Sequence, residues 1–284
     1  MGGLTRRPRI QIGRAAHHPP VSGVPSITLA HAQSVGIVRE DNEDSLFTLS
    51  GTNIGDSEQH NFGLFVIADG MGGHQKGERA STIAAQSVAR VVGTYMFSRM
   101  LEEIQAFCDN KTLMELMHSS LIEANDDVSS GVPGGGTTVT ALLLMGANAI
   151  IGHVGDSRAY RVDSGKLLQL TKDHSLVQKL HDLGEITSAG IENHPRRNIL
   201  LRAVGQSEIL DVDVSEHYVE SGSTFLLCSD GLWGCMEEDD MLRIISNSSG
   251  LQEACETLTE EANKAGGLDN ITSIIVKYDY ETNK

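Results

Sequence analysis

Three aspartates in this 284-residue chain stand where an apolar run meets a turn. Leu64, Phe65, Val66, Ile67 and Ala68 lead directly into Asp69, which has Gly70, Gly72 and Gly73 beside it. A second apolar run, residues 224–229, ends in Asp230-Gly231, and Asp269-Asn270 precedes a β-branched run over residues 271–276. One strand ending in Asp-Gly is ordinarily a simple turn, but three acids delivered to strand ends carry more. Gathered at one sheet edge they repel, and a bound divalent cation is the ordinary way to stabilise such a group. Glycines beside the first acid let backbone carbonyls come close, and hard cations take mixed carboxylate, carbonyl and water oxygens.

Acids gathered around two divalent cations serve phosphorus chemistry well, because the ions activate a water near neutral pH and hold phosphoryl oxygens in line. Such a site needs a forked donor for the phosphate. Arg39, at the head of Arg39-Glu40-Asp41-Asn42-Glu43-Asp44, is placed to supply it, although in isolation it would read as a surface ion pair. Competing chemistries fail on spacing. A cysteine-phosphate mechanism needs Arg six residues after its Cys, and those positions hold Met114, Gly234, Met241 and Glu261. No Gly-x-Ser-x-Gly turn and no Gly-x-x-x-x-Gly-Lys-Ser/Thr loop exists.

The elements that must position these acids are mostly strands. The patterning predicts strands over residues 27–33 and 45–49, a hairpin loop over 51–60, then the opening run that ends at Asp69. Two helices follow, one with Ala80, Ile83, Ala84, Val88, Val91 and Tyr95 on a face, the other with Leu113, Leu116, Met117, Leu121 and Ala124 inward. Strands over 138–145, 149–154, 158–162 and 167–170 are separated by short loops, which predicts antiparallel hairpins. Residues 176–198 mix a short helix, two glycines and the basic run His194-Pro195-Arg196-Arg197, and read as an excursion from the sheet, a flap. Strands return at 211–218 and 224–229, helices at 237–246 and 251–264, and a last strand closes at Tyr278. Strand blocks alternating with helix pairs predict an α+β domain, a four-layer α-β-β-α sandwich of two antiparallel sheets.

The series Arg39-x-x-Asn42-Glu43-Asp44, Asp69-Gly70-Met71-Gly72-Gly73, Gly136-Thr137-Thr138, Gly155-Asp156-Ser157-Arg158, Ser229-Asp230-Gly231-Leu232-Trp233 and Asp269-Asn270 resembles the metal-dependent protein phosphatases of the 2C family, in the bacterial style. It covers about residues 27–278, and six blocks in order are far more specific than any one. The resemblance implies hydrolysis of phosphoserine and phosphothreonine by a metal-activated water, with two Mn2+ or Mg2+ ions per chain and a weaker third. Asp69 would bridge both ions, with Asp230 and Asp269 on one and the Gly70 carbonyl on the other. Glu43 and Asp44 would orient waters on the ions, Arg39 would bind the phosphate, and Asp156 would join Asp230 at the third ion. For Asp156 the plainer reading is a turn acid paired with Arg158. Thr138 reads as a hydrogen bonder beside the metals. The flap would influence substrate choice.

The chain departs from many eukaryotic members of the family, which place a proton-donating His directly after the Asp-Gly pair. Met71 stands there, and a thioether donates no proton. His74 and His153 lie nearest to matched blocks but read as local hydrogen bonders, so the general acid is unassigned. Two other functions share the pattern: a catalytically silent phosphoprotein-binding scaffold of the same fold, and a hydrolase of small phosphate esters.

Composition sets the bounds. The chain is 39% hydrophobic with a net charge of -16, while Arg6, Arg7, Arg9 and Arg14 all fall in the first 26 positions, where no acid occurs. Residues 1–25 therefore read as a flexible basic leader and 26–284 as one catalytic domain. An acidic body argues against nucleic acid as a partner. The longest apolar runs are strand-sized, far short of the roughly 20 residues a membrane helix needs. Four cysteines without metal spacing read as reduced thiols. The expectations are a cytoplasmic monomer acting on phosphorylated proteins, opposite a cognate protein kinase.

Overall fold

The computed structural model describes residues 24–54, 59–73, 75–101, 109–187, 190–191 and 194–281. The leader lies almost wholly outside the described residues, as do His74 and Cys108. Strands β1 (Val24–Ser34), β2 (Asp44–Ile54) and β3 (Gln59–Met71) come first, followed by helices α1 (Gln75–Leu101) and α2 (Asn110–Gly131). Then come β4 (Gly136–Thr137), β5 (Val139–Met145), β6 (Asn148–Val154), β7 (Arg158–Asp163), β8 (Lys166–Gln169) and the short α3 (Leu176–Asp182). The chain closes with β9 (Asp213–Tyr218), β10 (Ser223–Cys228), α4 (Asp230–Trp233), α5 (Glu238–Asn247), α6 (Leu251–Lys264) and β11 (Ile271–Glu281).

The strands form two antiparallel sheets, one ordered β1-β11-β10-β7-β8 and the other β2-β3-β5-β6-β9, with β4 paired to β3. Side-chain alternation explains why the central strands read as unbroken apolar runs. On β3, Leu64, Val66 and Ala68 pack under α1 and α2, while Phe65 and Ile67 point into the space between the sheets. On β10, Leu226 and Cys228 meet the α5–α6 layer, and Phe225 and Leu227 join the inter-sheet core. On β11, Ile271 and Ile275 face the helices while Ile274, Val276 and Tyr278 face the other sheet. Three apolar layers result, two under helices and one between sheets, which is the predicted four-layer sandwich.

Two local expectations need correction. Of the predicted hairpin loop over 51–60, residues 51–54 and 59–60 are strand, because β2 and β3 go on pairing from Asp44↔Asp69 out to Ile54↔Gln59, and residues 55–58 lie outside the described residues. The short link between β6 and β7 is no hairpin, since the two strands belong to different sheets. Residues 155–157 cross from one sheet to the other, with Gly155 at φ 115° and its Cα hydrogens against the Thr138 side chain. A turn this tight, in this backbone region, requires glycine. The predicted hairpin between β7 and β8 is present, with Ser164 at φ 50° and Gly165 at φ 74° in the turn. Helix faces shift by a residue in places: Val92 and Met96 are buried where Val91 and Tyr95 are only partly so.

β3 reaches its end at Asp69-Gly70-Met71 with α1 beginning four residues on, and Gly70 makes that return possible. A Cβ at Gly70 would overlap the backbone carbonyl of Gly77 and come within 2.6 Å of the Glu43 carbonyl. Both neighbours are backbone and cannot step aside. Gly70→Ala should therefore lower stability by about 3 kcal/mol, as overpacked cores do. Gly93→Ala, where nothing lies within 4 Å of the added carbon in α1, should instead be neutral or slightly stabilising. Thermal melting of the two variants checks this, and equal melting temperatures would refute it.

Candidate active site

All the sequence-predicted acids fall at one end of the sandwich, for a reason of register. Phe65 and Ile67 fill the inter-sheet space, so two residues further along β3 the same face delivers Asp69. Directly across the ladder stands Asp44, partner of Asp69 in the β2–β3 register. Asp230 opens α4 just after β10, Asp269 lies just before β11, and Asp156 sits in the β6–β7 crossover. Arg39, Glu43, Asp69, Gly70, Met71, Thr138, Asp156, Asp230 and Asp269 line one cleft of about 220 Å3, with Asn198 and Leu200 of the flap side on its wall. Asp44 is not in the lining. It lies beneath, buried, accepting hydrogen bonds from Ser229 Oγ at 2.8 Å and Thr272 Oγ1 at 2.7 Å.

Like charges directly opposite in a sheet are destabilising, and the framework around these acids is correspondingly dense. Asn270 accepts from the Glu43 amide at 2.8 Å and donates to the Val35 and Asp41 carbonyls, both at 2.9 Å, pinning the loop that carries Arg39 and Glu43. The Asp69 amide donates to Thr138 Oγ1 at 3.0 Å, and Thr138 shares a 2.7 Å hydrogen bond with buried Ser157. Thr138 is thus the hydrogen bonder expected of it. Arg39 donates to Asp269 at 2.7 Å, with side chains 46% and 29% exposed, so the phosphate candidate sits at the rim, paired to a cluster acid.

Among the described residues Asp156 makes no direct ion pair with Arg158, although the guanidinium still favours its charged form. Arg158 instead forks onto buried Asp173 at 2.9 and 2.8 Å and lies 3.6 Å over the Trp233 ring. The Trp233 indole N–H donates to the Asp156 backbone carbonyl at 2.9 Å. This clamp ties the turn of Asp156 to the helix of Asp230 and was missed in sequence, where Asp173 carried no sign of its role. Asn270, Ser229 and Thr272 were also missed as positioning groups, although the first two lie inside the matched blocks.

Burial and mutual repulsion favour the protonated forms of Asp44, Asp69, Asp156 and Asp230. Burial pushes Asp44 up to about 7, despite the Thr272 and Ser229 hydroxyls that favour its charged form. It pushes Asp230 up to about 6, with Asp269 adding repulsion and Asp69 within hydrogen-bonding reach. Asp69 and Asp156 are raised well above the usual carboxylate range, first by burial and then by neighbouring acids. Two buried oxygens, Asp44 Oδ1 and Asp230 Oδ1, have no hydrogen-bond partner at all. Buried orphans of this kind call for an explanation, and a divalent cation supplies one. Among the described residues no three Asp, Glu, His or Cys side chains close into a finished ion cage. A cation here would complete its shell with carbonyl and water oxygens, as Mg2+ does by preference. The donor set is all oxygen and fits Mg2+ or Mn2+.

His153, one of two histidines considered as acids, is buried between Thr140 Oγ1 at 2.9 Å and the Lys172 carbonyl at 3.2 Å, and does not line the cleft. Burial lowers it to about 3, so it stays neutral. It is a local hydrogen bonder, as expected.

Comparison with known proteins agrees with this geometry. The protein phosphatase 2C family model matches residues 42–270. A curated relative, the serine/threonine phosphatase stp of Listeria monocytogenes, is 37% identical over 216 residues, covering 76% of this chain and 84% of that protein. Among solved structures, the Mycobacterium tuberculosis serine/threonine phosphatase PstP/Ppp superposes with a TM-score of 0.75 at 29% identity, covering 89% of this chain and 99% of that one. The catalytic domain of PstP in complex with two manganese ions gives a TM-score of 0.73 at 27% identity, covering 90% and 100%. The chain belongs to the protein phosphatase 2C family.

The raised acids give a linked prediction. Asp44 and Asp230 ordinarily titrate near 3.8 and here at about 7 and about 6, so their protons stabilise the ion-free fold below that ordinary value. That stabilisation is lost as pH rises through 6 to 7, and a cation takes the protons' place. The rise in melting temperature on adding Mn2+ should therefore grow between about pH 5.5 and about pH 8. A rise that is flat or shrinks over that span would mean that these acids do not meet the ion.

Proposed function

We infer that this chain hydrolyses phosphoserine and phosphothreonine in other proteins, with two divalent cations, Mn2+ or Mg2+, at the carboxylate end of its sandwich. The observation that carries the reading is the meeting of five acids from distant parts of the chain, Asp44, Asp69, Asp156, Asp230 and Asp269, at a cleft with an arginine on its rim. Bound cations would supply a water deprotonated near neutral pH and would offset charge on the phosphoryl oxygens.

Within that reading Asp69, with Asp230, Asp269 and the Gly70 carbonyl, holds the ions, and Asp156 pairs with Asp230 for a weaker third. Asp44, bonded through one oxygen to Ser229 and Thr272, presents its other oxygen unpartnered and so orients a water without moving. Glu43, in the cleft lining, would orient a second water. Arg39 uses one of its five N–H donors on Asp269 and keeps others for a phosphate oxygen. Met71 has no proton to give the leaving alkoxide and His153 lies buried outside the cleft lining, so neither serves as its general acid.

Several finer points belong to the same proposal. The site is assembled from one chain, which supports action as a monomer. A protein kinase must place the phosphates it removes. The charge of -16 argues against nucleic acid, and among the described residues no helix is long and apolar enough to cross a membrane. Cys228, Cys235 and Cys255 are unpaired thiols, which supports a reducing, cytoplasmic setting. A silent scaffold is disfavoured because every cluster acid is present.

Two variants test the assignment. Asp230→Asn or Asp69→Asn should abolish Mn2+-dependent turnover of a phosphothreonine peptide while leaving a folded protein by circular dichroism; wild-type rates in either would overturn it. Arg39→Ala should raise KM for that peptide about 30-fold, the ~2 kcal/mol of a charge-assisted hydrogen bond. An unchanged KM would remove Arg39 from the phosphate.

A further inference from the structure

Nine large apolar side chains stand exposed among the described residues, and five of them lie within two residues of the cleft lining. Ile37 (67% exposed), Val38 (62%) and Leu268 (54%) flank Arg39 and Asp269 on one stretch of the rim, while Ile199 (44%) and Leu201 (49%) bracket Leu200 on another. Isolated exposed apolar residues are normal; their concentration at the mouth of a site is not.

Neither rim is free to fold its side chains away. The Ile37 and Val38 amides both donate to the Gly267 carbonyl, at 2.8 and 3.2 Å, which locks the 37–38 turn to the loop of Leu268. The Arg39–Asp269 ion pair closes the same two loops onto the cleft. In the other stretch, the Leu176 amide donates to the Ile199 carbonyl at 2.8 Å and the Leu201 amide to the His174 carbonyl at 2.7 Å. The apolar groups are thus held in water on fixed backbone, beside the place where a phosphate would enter. A small phosphate ester would fill the cleft without touching them, whereas an extended polypeptide must cross at least one rim.

We propose that the two apolar rims bind the polypeptide on either side of the phosphorylated residue, so that the preferred substrate is phosphoserine or phosphothreonine set between apolar residues. The inference rests on the phosphatase reading and adds the sequence context that the site selects. Covering two half-exposed aliphatic side chains from water is sufficient for a selectivity of several fold.

The test uses the full chain with Mn2+ and two phosphothreonine peptides of equal charge, one with Leu and Val flanking the phosphorylated residue and one with Asn and Gln. p-Nitrophenyl phosphate is assayed alongside. The apolar peptide should show roughly five- to tenfold higher kcat/KM, carried mostly by KM. In the double variant Val38→Ser, Leu268→Ser, which strips one rim and leaves Ile199 and Leu201, that ratio should fall by about half. Equal kcat/KM for the two peptides, or a preference undiminished in the double variant, overturns the proposal. So does a wild-type dimer in sedimentation that the double variant dissociates, since the rims would then serve a second copy of the chain. Failure of the wild type to hydrolyse both peptides and the small ester is a different result and sinks the phosphatase reading itself.

Discussion

The structure is organised around a repulsion. Asp44, Asp69, Asp156, Asp230 and Asp269 are brought to one end of a sandwich whose interior is otherwise apolar, and burial raises the first four of these that it encloses most strongly away from the charged state. Two unit charges about 5 Å apart at an effective dielectric constant near 20 repel by about 3 kcal/mol. Several such pairs would be comparable with the whole stability of a domain. The arrangement persists only because protons or cations occupy it and because the surrounding backbone is over-determined.

That over-determination is visible in how each acid is anchored by something other than its carboxylate. Asp69 is held through its amide by Thr138 and through its carbonyl by Thr137 Oγ1 at 2.8 Å. The turn of Asp156 is held through its carbonyl by Trp233, and that ring by Arg158 and Asp173. The loop before Asp44 is held by Asn270, which also follows Asp269 directly in the chain. Fixing the main chain leaves carboxylate oxygens, notably Asp44 Oδ1 and Asp230 Oδ1, for a ligand. Sheet topology makes this economical, because strands of both sheets end at the same edge: Asp69 and its ladder partner Asp44 lie on the β2–β3 pair, while Asp156, Asp230 and Asp269 sit in the segments that leave or enter β6, β10 and β11.

The layers and the identity of the acids were legible in the sequence because each rests on local pattern. Unbroken apolar runs marked strands buried on both faces, and acids at their ends marked the site. What was not legible depends on pairing between distant segments. The link 155–157 is as short as a hairpin turn, and only the sheet membership of β6 and β7 reveals a crossover. The run from Gly51 to His60 is polar apart from Ile54 and so looked like loop, but its described ends are held in the β2–β3 ladder. Arg158 next to Asp156 suggested a local pair, but its geometry is set by Asp173, fifteen residues on, and by Trp233 far along the chain. The Met71 position, by contrast, was correctly read as unable to donate a proton, since that follows from side-chain chemistry alone.

The charge inventory of the cleft also orders events. Among the described residues its lining holds Glu43, Asp69, Asp156, Asp230 and Asp269 against one cationic side chain, Arg39, which already shares its charge with Asp269. A phosphate dianion approaching that wall meets net negative potential, and one guanidinium cannot reverse it. Protonated acids would remove the repulsion but would also leave nothing basic enough to act on a water. Only when positive charge has replaced those protons can the same cleft attract the phosphate and keep its carboxylates ionised. Occupancy by cations must therefore come before productive binding of substrate, and the apolar rims act on a polypeptide whose phosphate the cleft is by then able to hold.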